Sequence, residues 1–280
     1  MREIPYEDVV NAVAEMCPEA CMTLDEEMKE VMRRALDAEK SPLGKRILGR
    51  FIENLGLAER EGLPFCEDTG QAVLFVDVGE DVRVSGPGLT EAITQGVRKG
   101  YAENPLRKSV VDPITRRNTG DNTPAIIHYN IVPGDRIRIV FLGKGGGSEN
   151  MSTLKMFPPS AGWEGIKRFA LDWIAQAGGN PCPPTIVGMG IGGNFELAAI
   201  NAKRAFAFRK MGQRNHNPFW AEKELEILEE ANKLGIGPQG LGGTITVLDV
   251  FIEVAPCHIA SLPLAINLQC PANRRAFREL

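Results

Sequence analysis

Three cysteines sit in loops flanked by proline or glycine: Cys66 in "PFCEDTG", Cys182 in "NPCPPT" and Cys270 in "LQCPAN". Cys66 is followed directly by Glu67, Asp68 and Thr69. A soft metal ligand or nucleophile therefore shares one short loop with groups able to move a proton. The three cysteines are separated by 116 and 88 residues, useless spacing for a zinc finger. Three thiolates also cannot close a four-coordinate structural zinc site. They suit a site assembled by the fold from distant loops, and they could hold three irons of a cubane cluster with the fourth left open. Of the remaining cysteines, Cys17 and Cys21 stand at i, i+4 in helical sequence and read as small core or surface residues.

The stretch "KGGGSENMS" carries Gly145, Gly146 and Gly147, then Ser148 and Asn150. Its lysine precedes the glycines, so it is not a Walker A loop. Consecutive glycines still let backbone N–H groups converge on an anion, and the pattern reads as a carboxylate- or phosphate-binding loop. "GMGIGG" matches GxGxxG at Gly188, Gly190 and Gly193, but the acidic residue expected about 20 residues on is replaced by the basic "AFRKMGQRN". The glycines then read as aids to tight packing near a functional loop. Of three histidines, His258 lies beside Cys257 and twelve residues before Cys270, whereas His128 and His216 have no local support for chemistry.

Elements must position these groups. "TLDEEMKEVMRRALDAE" predicts a helix opened by a Thr23–Glu26 capping box, and "SPLGKRILGRFIENLGLAEREG" one capped by Ser41 with Pro42 first. "QAVLFVDVG" reads as a buried strand, and "LTEAITQGVRKGYAEN" as a helix. "TPAIIHYNIV" and "RIRIVFLG", joined at "PGD", read as an antiparallel pair. Further on come an amphipathic helix from Trp163, a strand–glycine loop–helix around "GMGIGG", a helix from Asn217, and two strands followed by a basic tail. The expected fold is α/β: one domain over residues 1–280, a mixed sheet flanked by helices, with residues 1–60 as a helical N-terminal layer.

With 280 residues, 43% of them hydrophobic, the chain can bury a sizeable core. A net charge of −4 argues against nucleic-acid and membrane-surface partners. No apolar run of membrane-spanning length and no leader pattern stand out, so a cytoplasmic location is expected.

Taken in order, "PFCEDTG", "KGGGSENMS", "GMGIGGNFELA" and "CHIASLPLAI" with its following Cys-Pro resemble the alpha subunit of two-subunit class I fumarate hydratases and L-tartrate dehydratases. They are also similar to the N-terminal domain of single-chain class I fumarases. The resemblance implies an oxygen-sensitive [4Fe-4S] cluster held by Cys66, Cys182 and Cys270, whose open iron acts as a Lewis acid on a small dicarboxylate. It implies catalytic roles for Asp68, in proton transfer, and for His258. Substrate binding is implied for Glu67, Thr69, Arg107, Gly145, Gly146, Gly147, Ser148 and Asn150. Arg107, in "NPLRKSVV", reads in isolation as a solvated helix-end charge, and only the motif match makes it a carboxylate clamp. Glu67 stands where many members carry glutamine, and a carboxylate there repels a dicarboxylate unless it is protonated or turned away. Cys257 has no implied ligand role.

The resemblance further implies a beta subunit completing the site, and an alpha–alpha contact in a heterotetramer. The expected reaction is reversible hydration of fumarate to L-malate, with L-tartrate dehydration as the alternative. From a different class, a non-catalytic iron–sulfur or redox-sensing protein would use the same cysteines. A nucleotide-binding oxidoreductase built on "GMGIGG" is the third reading.

Overall fold

A computed structural model describes all 280 residues. In chain order the elements are β1 (Arg2–Ile4), α1 (Tyr6–Met22), α2 (Glu26–Ala38), α3 (Pro42–Glu61), β2 (Gln71–Gly79), β3 (Val82–Val84), α4 (Leu89–Glu103), β4 (Ile126–Val132) and β5 (Ile137–Lys144). Then follow α5 (Gly146–Glu149), β6 (Thr153–Phe157), α6 (Gly162–Ala177), β7 (Thr185–Gly192), α7 (Phe195–Phe208) and α8 (Pro218–Asn232). β8 (Val247–Ala255), β9 (Leu262–Gln269) and β10 (Arg275–Glu279) close the chain. The class is α/β with mixed sheets. No helix is long and apolar enough to cross a membrane.

The chain packs as two compact units. The first takes residues 1–24, 54–146 and 272–280, the second residues 25–53 and 147–271. Residues 1–60 are thus shared out: α1 belongs to the first unit, α2 and most of α3 to the second.

In the first unit the sheet order is β10-β5-β2-β4, with a separate parallel pair β1–β3. β5 runs antiparallel to β2 and to β10, while β4 runs parallel to β2. The expected hairpin between 123–132 and 136–143 is therefore not formed, because β2 lies between its two arms. The reason is burial. β2 is apolar on both faces and needs a neighbour on each side, whereas β4 exposes Tyr129 and Ile131 and tolerates the edge. The core beneath unites Val9, Val13 and Met16 of α1 with Ile93, Val97 and Tyr101 of α4, and with Leu74, Val76 and Phe141 of the sheet. The basic tail is a correction too: Arg275–Glu279 is the strand β10, and Arg274 before it is 1% exposed.

In the second unit the order is β6-β9-β7-β8, β9 antiparallel to both neighbours and β8 parallel to β7. β7 is buried throughout and alternates large with small residues. Val187, Met189 and Ile191 pack with α6 and α8 through Ile166, Ile174 and Ile227. Gly188 and Gly190 face α7. A Cβ on either would lie 1.9 or 2.0 Å from the carbonyl oxygens of Ala202 or Ala198, so α7 packs directly on the β7 backbone. That contact explains "GMGIGG" without a nucleotide.

Two caps test the helix signals. Ser41 Oγ accepts from the Gly44 N–H at 3.2 Å at the start of α3, as its sequence predicts. At α2 the cap is Asp25, whose Oδ1 accepts from the Met28 N–H at 2.8 Å, not Thr23. A carboxylate at the N-cap position, reaching the N–H of the third helical residue beside the positive helix end, outcompetes the threonine hydroxyl.

Candidate active site

The register of the first sheet creates the central geometry. Gln71 opens β2 opposite Lys144, the last residue of β5. The loop preceding β2, with Cys66 to Gly70, therefore meets the glycine turn that follows β5. Asp68 spans the junction: its Oδ1 accepts from the Gly70 N–H at 2.9 Å and its Oδ2 from the Gly146 N–H at 2.7 Å. Gly70 has φ +82°, and a Cβ there would come within 2.6 Å of the Gly143 backbone, so glycine is required for the loop to pass over β5.

The Cys66 loop is anchored from below. The Phe65 N–H donates to Cys21 O at 3.1 Å and Asn54 Nδ2 donates to Phe65 O at 2.7 Å. Tyr101, fully buried in α4, donates its hydroxyl toward the carbonyls of Thr69 and Gly70, at 3.1 and 3.2 Å. Cys21 Sγ donates to Thr69 O at 3.6 Å, and burial pushes this thiol up to about 12, so it stays protonated and structural. Cys17 is equally buried and its pKa is also raised by burial.

A second segment is tied to this loop. Thr69 is 1% exposed and its Oγ1 donates to Arg107 O at 3.0 Å, so its hydroxyl holds the Arg107 backbone and is not turned toward solvent. Asn122, fully buried with φ +61°, accepts at Oδ1 from the N–H groups of Ser109 and Val110 at 2.7 and 3.2 Å. Its Nδ2 donates to Gly70 O at 3.2 Å. Arg107 then projects an exposed guanidinium whose Nη1 lies 2.6 Å from Glu67 Oε1. The sequence reading missed Tyr101, Asn122 and the buried Arg274. The Nε of Arg274 donates to Gly143 O at 2.9 Å, and its guanidinium closes on Gly145 so tightly that a Cβ there would lie 2.5 Å from Nη2. "NTGDNTP" advertised a turn but not its target, and nothing local marks Arg274 as buried.

Gly146 starts α5, and in the second unit Gly147 and buried Ser148 continue it, with Asn150 exposed beyond its end. Glu149 between them is held by Lys203 Nζ at 2.6 Å and by Asn267 Nδ2 at 3.1 Å.

Cys182 and Cys270 lie at one end of the second sheet. Ile186 pairs with Gln269, so Cys270 leaves β9 beside the point where the Cys182 turn enters β7. Cys182 is exposed, with φ +57°, and its N–H donates to Gly179 O at 3.1 Å; Cys270 is 9% exposed. All six cysteines are outside disulfides. Gln269 is fully buried with both amide atoms unpartnered, and so is the amide of Asn273, 2% exposed. In the second unit, an unpartnered buried amide next to a thiol in the chain fits a polar occupant better than a closed core. No group of three or more Cys, His, Asp or Glu side chains is gathered at metal-ligating spacing.

His258 is placed elsewhere. Gly192 pairs with Ala255, and the 256–261 loop leaves from that far end of β8. The eight residues of β7 separate it from Cys182 and Cys270 by roughly 25 Å of strand. The His258 side chain is exposed and its Nδ1 accepts from the Ala260 N–H at 3.1 Å; Cys257 Sγ donates to Ser261 O at 3.2 Å.

Residues 10–279 match the family model described as fumarate hydratase (Fumerase). A Methanocaldococcus jannaschii protein provisionally named L(+)-tartrate dehydratase subunit alpha is 45% identical over 278 residues, 97% of either chain. The proteins named L(+)-tartrate dehydratase subunit alpha from Escherichia coli strains UTI89 and K12 are 36% and 35% identical over 256 residues, 90% of this chain and 84% of theirs. With a thiol–carboxylate loop, an arginine and a glycine turn at one sheet end, and a family match over nearly its whole length, the chain belongs to the class I fumarate hydratase family and is a hydro-lyase.

Proposed function

We propose that the chain is the alpha subunit of a two-subunit [4Fe-4S] hydro-lyase that interconverts fumarate and L-malate. The observation carrying this reading is the grouping of Cys66, Asp68, Arg107 and Gly145–Gly146 at one end of β2 and β5. The donor set suits the cluster: Cys66, Cys182 and Cys270 are free of disulfides, and thiolates are the usual ligands of iron–sulfur centres. Bound there, the cluster would supply an open iron acting as a Lewis acid toward the substrate's hydroxyl and carboxylate. The proposal requires the Cys66 loop and the Cys182–Cys270 end to serve one cluster.

The chain's own residues would do the rest. Arg107 offers a fork of N–H donors to one carboxylate of the substrate. Asp68, both of whose oxygens are oriented by backbone N–H groups, would take a proton from the carbon next to the hydroxyl-bearing one, and return it in hydration. Thr69 acts by holding Arg107 in place. Gly145, Gly146, Gly147, Ser148 and Asn150 form the turn that lines the substrate. His258 cannot reach the Cys182–Cys270 end of its own sheet, so its catalytic use requires a second alpha subunit to present it, through the expected alpha–alpha contact.

The relatives' names favour a second reading, L-tartrate dehydration to oxaloacetate, and those same names, "subunit alpha", support a beta partner. Fumarate and tartrate routes differ by one substrate hydroxyl. The test is an anaerobic assay of the iron-reconstituted chain with and without its candidate beta subunit, on fumarate and L-tartrate in parallel. Activity that needs both chains and is lost in air is expected, and the faster substrate names the enzyme. A full cluster with the partner present and no turnover of either substrate would overturn the proposal in favour of a redox role.

A further inference from the structure

The Glu67–Arg107 ion pair stands out from the rest of the site. It joins the two loops through side chains 85% and 56% exposed, whereas the bonds that Thr69 and Asn122 make between them come from buried side chains and end on backbone groups. The backbones beneath are fixed. Glu67 is held between Phe65, whose N–H and carbonyl are both bonded, and Asp68, which is bonded at both oxygens. Arg107 is held by Thr69 Oγ1 at its own carbonyl and by Asn122 two and three residues on. Two anchored loops thus aim opposite charges at each other in the open, 2.6 Å apart.

A glutamate carboxylate is chemically the same group as either end of a dicarboxylate. We infer that Glu67 is an internal competitor for Arg107, occupying the N–H donors that a substrate carboxylate must take. The inference rests on the proposed function, in which Arg107 clamps the substrate. Binding then requires the pair to open, and the displaced Glu67 charge stays near an incoming dianion. Glu67 therefore sets the affinity for dicarboxylates by opposing it, and neutralising it should tighten binding. The effect is bounded by what an exposed ion pair contributes, which corresponds to about a twofold to fivefold change in affinity.

The test uses Glu67→Gln, which keeps shape and exposure, in the assembled cluster-loaded enzyme. Succinate, which cannot be hydrated, serves as a binding probe by calorimetry under anaerobic conditions. We expect its Kd to fall about twofold to fivefold, and KM for the reacting substrate to fall with it, the gain lying in KM rather than kcat. In an Arg107→Gln background the same Glu67→Gln change should bring no gain, since the competition is gone. Weaker or unchanged succinate binding in E67Q, with wild-type binding intact, would overturn the inference alone. Absence of dicarboxylate binding by the wild-type assembly would overturn the proposed function and the inference with it.

Discussion

At the scale of single residues, the site depends on a few buried polar groups that fix exposed ones. Asp68 is set by two N–H donors; Asp68→Asn removes the proposed proton carrier and keeps one of those bonds, since the amide nitrogen cannot accept the other. Turnover should fall by about 10²- to 10⁴-fold while the cluster's visible absorbance is unchanged. Loss of the absorbance as well would make Asp68 a structural residue. Asn122 is the converse case, invisible to substrate yet bonded to three backbone groups from two loops. Asn122→Ala leaves one buried and two half-buried backbone groups without this partner and should destabilise the protein by about 1–3 kcal/mol, read from denaturant unfolding. An unaltered midpoint would show that water replaces the amide.

At the scale of elements, the α7–β7 contact is a tight constraint in the second unit. Gly190→Ala forces a methyl to within 2.0 Å of the Ala198 oxygen, so α7 must lift from the sheet. A loss of about 1–3 kcal/mol is expected in thermal unfolding. Gly49, inside α3, has nothing within 4 Å of its would-be Cβ. Gly49→Ala should stabilise by about 0.5–1 kcal/mol through helix propensity alone. Opposite signs for the two identical substitutions are the check; a shared sign would mean that the packing at β7 relaxes freely.

At the scale of the whole molecule, pH and assembly are the two levers. In the first unit burial pushes Asp121 up, but hydrogen bonds from Arg98 and Thr123 outweigh it and hold the carboxyl at about 2, below its ordinary 3.8. In the second, Lys167, joined by Lys223 and Trp163, holds Glu226 at about 2 against burial, below its ordinary 4.5. Because these folded-state values are depressed, their stabilisation is fully present above about pH 4.5 and disappears as pH falls toward 2. Asp121→Asn should flatten the stability curve over that window, measured by urea unfolding at each pH; an equally steep curve would sink the assignment. On the alkaline side, Cys21 adds a loss between its ordinary 9.0 and about 12, since only the unfolded chain can ionise it. Assembly is tested by complementation. If His258 serves a second alpha subunit, a mixture of Asp68→Asn and His258→Ala chains with beta subunit should recover about a quarter of wild-type activity, from one intact site in each mixed pair. No recovery from two separately inactive variants would place His258 in its own chain's site or in none.

The amino-acid sequence by itself determined the α/β class, most of the helices and strands, the family, and the loops that carry the candidate groups. Those features are local. Periodicity, caps and glycine patterns are written over a few residues, and several ordered motifs together specify a family. Other features depend on partners far apart in the chain, and there only the tertiary structure decided. β2 took the middle of its sheet because it is apolar on both faces, separating two strands that adjacent sequence joins. The basic tail became an inner connection because β5 had an open edge for β10, which drew Arg274 under the glycine turn. His258, close to Cys270 in sequence, went to the opposite end of the sheet because the strand between them spans its full length. Sequence proximity along a strand is distance in space, whereas the antiparallel return of β5 to β2 brought Asp68 and Gly146, far apart in the chain, within one hydrogen bond.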